Sequence, residues 1–173
     1  FAQKKAKKYF CRWSVLQFYL SKATLEQLSA LSYYTNIMRY LVTGGAGFIG
    51  SHIVDELIKA GQEVLIIDNL ETGKKENINP KAFFYQLDIR NLEKIEPLFK
   101  GVAGVFHTAA LARIQTSFEN PNSYFEVNAV GTRNVLLAAK KHGVCRLVYS
   151  ASSSAYGMRD ELPLRESDSI SSQ

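Results

Sequence analysis

This sequence has few cysteines and no long apolar run. It contains two cysteines, Cys11 and Cys145, which stand far apart in unlike surroundings. Such a pair predicts neither a disulfide framework nor a cysteine metal site, and the three histidines form no ligand spacing with it. No apolar stretch is long enough to cross a bilayer. We therefore expect a cytoplasmic protein with no bound metal and no membrane partner.

Acidic residues are nearly missing from the start of the chain. The 173 residues include 21 Lys and Arg against 16 Asp and Glu, but residues 1–37 hold six of the basic residues and only one acid, Glu26. The charges of the remaining chain cancel. Because a nucleic-acid-binding protein needs a basic face on its folded part, this balance favours no nucleic-acid partner.

Residues 1–37 also differ in composition from the rest of the chain. The chain begins at Phe1, and Met38 lies directly before the first predicted strand. We interpret residues 1–37 as a non-native or extraneous extension and Met38 as the native start. A basic targeting segment and a partner-binding helix are the alternatives. Residues 38–173 are then the functional domain.

From Arg39 onward, apolar strands alternate with helical segments. We predict strands over residues 39–43, 63–68, 83–87, 104–108 and 145–150. We predict helices over 48–60 and 91–99 and a long helix over 120–142, capped by Asn120 with Pro121 in its first turn. Strands separated by helices imply right-handed crossovers and a parallel sheet covered on both faces. The sequence therefore predicts an α/β fold, a Rossmann-like doubly wound parallel sheet.

Three glycines, Gly44, Gly47 and Gly50, join the first strand to the first helix. Glycine allows a positive φ and lets a ligand come close to the backbone. The free N–H groups at the start of this helix, near Gly47, Phe48 and Ile49, then point at an anion, which favours a dinucleotide's diphosphate. A turn that merely needs glycine is the alternative.

Acidic residues end the next two strands. Asp68 can accept both hydroxyls of an adenosine ribose and would repel a 2′-phosphate, which favours NAD over NADP. Asp88 and Ile89 would flank the adenine. An ordinary strand-terminal acid is the alternative for Asp68, and a helix cap is the alternative for Asp88.

Small residues follow the fourth strand and hydroxyl groups follow the fifth. Thr108, Ala109 and Ala110 would let a cofactor lie close to the backbone, whereas His107 is expected to be a packed strand residue rather than a catalyst. The polar run 150–157 leaves the carboxyl edge of the sheet, where open parallel sheets bind their ligands. By composition alone that run is only a polar loop.

Together these runs resemble the extended short-chain dehydrogenase/reductase family of NAD-dependent sugar-nucleotide epimerases and dehydratases. The resemblance covers residues 39–173 and is carried by the segments 43–50, 68–70, 88–90, 107–110, 128–132 and 150–157. It implies NAD as cofactor, a nucleotide sugar as substrate, and a homodimer formed partly through the long helix.

The resemblance also implies roles for individual residues. Ser152 would be the active-site hydroxyl, with Ser153 as the competitor if the register is shifted by one. Asn128 would be the long-helix asparagine near the active site. The remaining cofactor residues are implied at the pyrophosphate, the adenosine end and the middle of the cofactor: Gly44, Gly47, Phe48, Ile49, Gly50, Asp68, Asn69, Thr72, Gly73, Asp88, Ile89, Thr108, Ala109 and Ala110.

The sequence departs from this family at the proton-transfer pair, Tyr-x-x-x-Lys, which the family carries about two dozen residues beyond that serine. None of the nine tyrosines has a lysine four positions on. We therefore expect a C-terminally truncated fragment that supplies the NAD-binding half, lacks the substrate domain and does not turn over substrate alone. A dehydratase of the same family is disfavoured because residues 152–154 offer no carboxylate. A non-catalytic NAD-binding module is the third alternative.

Overall fold

A computed structural model describes residues 37–157 and 163–170. The predicted extension, residues 1–37, therefore lies outside the described residues apart from Ile37. The described residues from Met38 onward belong to one compact unit.

Five parallel strands form one sheet in the order β3-β2-β1-β4-β5. The strands are β1 (Arg39–Thr43), β2 (Glu63–Asp68), β3 (Phe83–Gln86), β4 (Gly104–His107) and β5 (Arg146–Tyr149). At the carboxyl end of β1, Thr43 pairs with Ile67 on one side and with His107 on the other. The chain thus moves outward from β1 in both directions, and the predicted doubly wound sheet is confirmed.

Helices cover both faces of this sheet. They are α1 (Phe48–Lys59), α2 (Leu92–Ile95), α3 (Ile114–Glu119), α4 (Pro121–Phe125) and α5 (Thr132–Lys141). A 3-10 turn, Glu96–Phe99, continues α2, and a π-helical turn, Glu126–Gly131, joins α4 to α5. Two further 3-10 turns span Lys75–Asn77 and Ser153–Tyr156.

Alternate residues of the central strands point to opposite faces of the sheet and pack into two separate cores. Val42, Val64 and Ile66 pack with Val54 of α1 on one face. Leu41, Leu65 and Ile67 pack on the other face against α2, the π-helical turn and α5. Because both faces are buried, β2 is apolar without alternation, as the sequence predicted.

The predicted long helix over 120–142 is continuously helical from Pro121 to Lys141, but its cap and its hydrogen-bond pattern differ from the prediction. Asn120 precedes α4 but makes no side-chain capping bond, although Pro121 does occupy the first helical position. The π-helical turn then interrupts the α-helical pattern. At its end Gly131 lies against Ile89, since a Cβ on Gly131 would be 2.6 Å from the Ile89 Cδ1.

Helix α3 was not predicted. Its apolar side chains Ile114 and Phe118 are 77% and 83% exposed. Although Ile114 and Phe118 have the i, i+4 spacing of one helix face, a helix of six residues is too short for a helical period to be recognised in the sequence.

Candidate functional site

A cleft opens at the carboxyl edge of the sheet, where β1, β2 and β4 end. Its walls are the glycine turn, the loops after β2, β3 and β4, and the π-helical turn. This is the point where the strand order reverses, at which open α/β sheets bind ligands. Of the predicted site residues, the following line the cleft: Gly44, Gly47, Asp68, Asn69, Thr72, Asp88, Ile89, Thr108, Ala109 and Ala110.

The glycine turn is packed too tightly for side chains. Gly44 has a φ of +73°, and a Cβ there would lie 2.7 Å from the backbone nitrogen of Ala109. A Cβ on Gly50 would lie 2.1 Å from the carbonyl oxygen of Gly44. The turn therefore needs glycine both to bend and to let α1 begin against it.

The start of α1 offers unpaired backbone donors. Gly47, the N-cap residue, has no side chain with which to cap, and the first turn contains no acidic residue. The N–H groups of Phe48, Ile49 and Gly50 have no acceptor among the described residues. With the positive end of the helix dipole added, this terminus is suited to an anion.

The side chains of Phe48 and Ile49 do not line this cleft. They are 79% and 57% exposed, and they border a second, apolar cleft together with Ile53, Leu57 and Phe106. Only the backbone of these two residues is therefore placed for the predicted role at a diphosphate.

Asp68 ties the glycine turn to the loop after β2. It is 8% exposed, and its Oδ2 accepts a hydrogen bond from the Ala46 N–H at 3.0 Å. Its Oδ1 accepts from the Leu70 N–H at 2.8 Å. Each oxygen keeps a second lone pair, so the carboxylate can still accept hydroxyl groups from the cleft.

Gly73 supports Asp68 from behind rather than lining the cleft. A Cβ on Gly73 would lie 2.9 Å from the Asp68 Oδ1 and 2.9 Å from the Ala46 Cβ. The loop after β2 can therefore close over the carboxylate only because residue 73 is glycine.

Asp88 is held ionised by Arg90. The Arg90 Nε and Nη2 donate to its two carboxylate oxygens at 2.9 and 2.6 Å, and these bonds lower the pKa of Asp88 to about 2. The Arg90 N–H and the Asn69 Nδ2 donate to the same two oxygens at 2.8 and 3.0 Å. An adenine amine would have to displace one of these four donors. The alternative of a helix cap does not hold, because the side chain of Asn91 caps α2.

Asn128 fixes the loop after β4 instead of lining the cleft. Its Oδ1 accepts from the Leu111 N–H at 2.9 Å, and its Nδ2 donates to the Leu111 carbonyl at 2.9 Å. At the other end of this loop the Thr108 hydroxyl donates to the carbonyl of Thr43 at 2.7 Å. The segment 108–111 is thus anchored at both ends.

His107 is buried behind the cleft with both ring nitrogens engaged. Its Nδ1 lies 2.6 Å from the Thr43 hydroxyl and its Nε2 lies 2.9 Å from the Thr132 hydroxyl. The ring stacks on Tyr149, and burial lowers the pKa of His107 to about 4. The imidazole is neutral at pH 7, and the prediction of a packed strand residue is confirmed.

The serine run leaves the end of β5 on the surface. The Ser152 hydroxyl lies 2.6 Å from the Ser154 hydroxyl and accepts from the Ser154 N–H at 3.2 Å, which caps the 3-10 turn. Ser152 and Ser153 are both exposed, and neither lines the cleft. The structure therefore places both serines at the carboxyl edge without bringing either into the cleft.

Five cleft residues were missed by the sequence analysis. Ile67 and Leu87 directly precede the predicted residues Asp68 and Asp88, so both could have been inferred from their neighbours. Glu71 and Leu111 lie in loops in which neighbouring residues were predicted. Val127 reaches the cleft only because of the π-helical turn, which the sequence does not signal.

Residues 37–157 and 163–170 contain neither a membrane-spanning helix nor a cluster of metal ligands. No helix in these ranges is long and apolar enough to cross a membrane. No group of three or more His, Cys, Asp or Glu in them could hold a metal ion.

Comparison with known proteins gives a consistent result. Residues 40–173 match the family described as NAD dependent epimerase/dehydratase. The structure of Thermus thermophilus UDP-glucose 4-epimerase with NAD is 42% identical with a TM-score of 0.71, covering 78% of this chain and 44% of that one. The Thermotoga maritima UDP-glucose 4-epimerase with UDP-glucose is 41% identical with a TM-score of 0.69, covering 72% and 41%.

A relative with a different reaction is also similar. UDP-glucuronic acid decarboxylase 1 of Danio rerio is 37% identical over 128 residues, which is 74% of this chain and 30% of that protein. The chain spans about two fifths of the length of the curated relatives it matches.

Proposed function

Because this chain belongs to the NAD-dependent epimerase/dehydratase family, we propose that it is the NAD-binding half of a nucleotide-sugar epimerase, of the UDP-hexose 4-epimerase type. The observation that carries this proposal is the uncapped start of α1, which opens beside the Asp68 carboxylate at the reversal point of the sheet. The similarity to two UDP-glucose 4-epimerases supports the substrate class.

The residues present fit a dinucleotide. Backbone N–H groups of Phe48, Ile49 and Gly50 would bind the diphosphate, and Asp68 would accept the hydroxyls of the adenosine ribose. The segment 108–110, held by Thr43 and Asn128, would support the middle of the cofactor. Bound NAD supplies the hydride acceptor and donor through which C4 of the hexose is oxidised and then reduced on its other face.

Ser152 is proposed to hydrogen-bond the reacting sugar oxygen. Its hydroxyl accepts from the Ser154 N–H and lies within hydrogen-bond distance of the Ser154 hydroxyl, so the oxygen has a defined position at the edge of the sheet. The proton acceptor of this family, a tyrosine four residues before a lysine, does not occur in these 173 residues. We therefore expect the chain to bind NAD but to catalyse no epimerisation by itself.

Calorimetric titration of the chain with NAD tests the cofactor half of the proposal. We expect saturable one-to-one binding that ADP-ribose competes away, because the diphosphate and the adenosine ribose make the proposed contacts. Absence of NAD binding by the folded chain would overturn the proposal.

Two assays test the reaction half. The chain alone and a longer form that contains a Tyr-x-x-x-Lys sequence are incubated with NAD and UDP-glucose, and UDP-galactose is measured. We expect product only from the longer form. In that form Ser152→Ala should lower kcat more than the matched control Ser153→Ala. Product from the chain alone would contradict our expectation.

A dehydratase is the second candidate, since the matching family includes dehydratases as well as epimerases. Against it, the run Ser152–Ser154 supplies no carboxylate for water elimination. Formation of a keto-deoxy sugar instead of the 4-epimer would favour this candidate. NAD binding without any product from the longer form would favour a non-catalytic module.

We also propose a homodimer through the helical stretch from α3 to α5. Phe118, Phe125 and Leu136 are 83%, 63% and 49% exposed there, which is unusual for large apolar side chains on a monomer. Light scattering should give twice the monomer mass, and Phe125→Asp should shift it to the monomer. A monomeric wild-type protein would contradict this proposal.

The cytoplasmic location remains a prediction from sequence.

A further inference from the structure

We propose that Glu71 is a second cofactor-specificity residue, which acts with Asp68 to exclude a 2′-phosphate and thus NADP. The inference rests on the NAD binding proposed above and deepens it. Sequence reasoning assigned this selection to Asp68 alone.

The structure brings Glu71 into the same cleft as Asp68. The Glu71 N–H donates to the Asn69 Oδ1 at 3.0 Å, and the Glu71 Oε2 accepts from the Asn69 Nδ2 at 3.1 Å. The same Asn69 nitrogen donates to the Asp88 Oδ2 at 3.0 Å. One side-chain amide therefore holds two carboxylates at the end of the cleft where β2 and β3 finish.

The backbone conformation at Leu70 fixes the positions of Asp68 and Glu71 relative to each other. Leu70 has a φ of 62°, which reverses the chain between Asn69 and Glu71. Its N–H is held by the Asp68 Oδ1 at 2.8 Å. Asp68 and Glu71 are thus positioned by one tight turn, and they border the cleft together.

The charge at this end of the cleft is not balanced by a cation placed to receive a phosphate. Three carboxylates line it, those of Asp68, Glu71 and Asp88, whereas its described lining contains no lysine or arginine. Arg90, which interacts electrostatically with Glu71, already donates from both Nε and Nη2 to Asp88. Lys74 forms an ion pair with Glu76 at 3.4 Å.

A 2′-phosphate in this cleft would therefore meet the charges of Asp68 and Glu71, with no lysine or arginine among the described lining residues to offset them. Like charges a few ångström apart in a partly solvated site change an affinity about fivefold to tenfold each. Asp68 cannot be replaced cleanly, because its two oxygens also hold the Ala46 and Leu70 N–H groups. Glu71 can be, since Glu71→Gln keeps an oxygen for the Asn69 amide and removes only the charge.

The test is calorimetric titration of the chain with NAD and with NADP for wild type, Glu71→Gln, Glu71→Lys and Glu93→Gln. Glu93, an exposed glutamate of α2, is the matched control, because it carries the same charge and does not line the cleft. We expect Glu71→Gln to raise NADP affinity about fivefold to tenfold while NAD affinity changes less than about twofold. Glu71→Lys should raise NADP affinity further, and Glu93→Gln should change neither affinity. Raising the salt concentration should shrink the effect of Glu71→Gln.

The outcomes separate this inference from the function it rests on. If the wild-type chain binds NAD and the ratio of NAD to NADP affinity is the same in both Glu71 variants, Glu71 is not a specificity residue and the proposed function stands. The same conclusion follows if Glu93→Gln changes the ratio as much as Glu71→Gln does. If the folded wild-type chain binds neither nucleotide, both proposals are overturned.

Discussion

The side-chain amide of Asn128 pairs with the backbone of Leu111, accepting a hydrogen bond from its N–H and donating one to its carbonyl. The two bonds are each 2.9 Å, and they join the π-helical turn to the loop that lines the cleft. Val127, the residue before Asn128, lines the cleft and is 7% exposed. The helical turn thus supports the cleft with one residue and borders it with the next.

Replacing Asn128 with Asp should destabilise the protein by about 1–3 kcal/mol, because the Leu111 carbonyl loses its donor and faces a carboxylate. Affinity for NAD should fall as well, since the loop 108–111 loses its anchor. Urea unfolding and titration with NAD measure the two effects. Asn122→Asp, at an exposed position in α4, serves as control and should change stability by less than about 0.5 kcal/mol. Equal effects of the two substitutions would contradict the anchoring role.

Gly50→Ala should destabilise the protein by about 3 kcal/mol or more and abolish NAD binding. The added methyl group would lie 2.1 Å from the Gly44 carbonyl oxygen, so either α1 or the glycine turn must move. Gly61→Ala is the comparison, because Gly61 has a φ of +72° but an added methyl group there would meet no atom within 4 Å. That variant should lose only about 1 kcal/mol and keep NAD binding. Unfolding curves that rank the two variants the other way would refute the tight packing of the turn.

The stability of the protein should fall as the pH drops from about 6.5 to about 4, in part because of His107. The unfolded chain takes up a proton on this imidazole near its ordinary pKa of 6.5, whereas burial lowers the pKa in the folded protein to about 4. The loss should reach at most about 3 kcal/mol below pH 4, and stability should be regained above pH 6.5. Asp88, whose pKa is about 2, contributes mainly below this window.

The pH dependence is assigned by comparing wild type with His107→Gln. The difference in the free energy of unfolding between these two proteins should vary over pH 4–6.5. Ser123→Ala, at an exposed position in α4, is a control without a titrating group and should leave the wild-type pH profile unchanged. A His107→Gln profile parallel to that of wild type would show that the buried imidazole does not set this dependence.

Leu70→Asn should stabilise the protein by about 0.5–1 kcal/mol, since asparagine tolerates the left-handed backbone that Leu70 adopts at a φ of 62°. Leu70→Val should destabilise it, because a β-branched side chain fits that conformation poorly. In both variants the backbone N–H that Asp68 accepts is retained. Midpoints of urea unfolding compare them with wild type, and a more stable Val variant would argue against strain at this position.

Most of the fold could be predicted because its signals are local. The buried run Val64–Ile67 lacks alternation, which identifies a strand covered on both faces. The glycines at 44 and 50 mark a turn in which no side chain fits, and Asp68 follows directly at the end of the next strand. Each of these features depends on a few neighbouring residues, so the sequence shows them.

The errors concern features that depend on contacts far along the chain. The π-helical turn coincides with Asn128 reaching Leu111, seventeen positions away, and with Gly131 meeting Ile89. Helix α3 has only six residues, too few for a helical period to be recognised in the sequence. Neither feature has a periodic signature.

The sequence by itself determined a doubly wound parallel sheet, a glycine turn before α1 and an acid at the tip of β2, because periodicity, backbone sterics and strand length are properties of adjacent residues. Only the tertiary structure decided how the side chains are used. It engaged both oxygens of Asp68 with backbone N–H groups, directed Asn128 to the loop after β4, and brought Glu71 into the cleft. Hydrogen bonds between distant segments fix these positions, and such bonds form only once the strands are aligned.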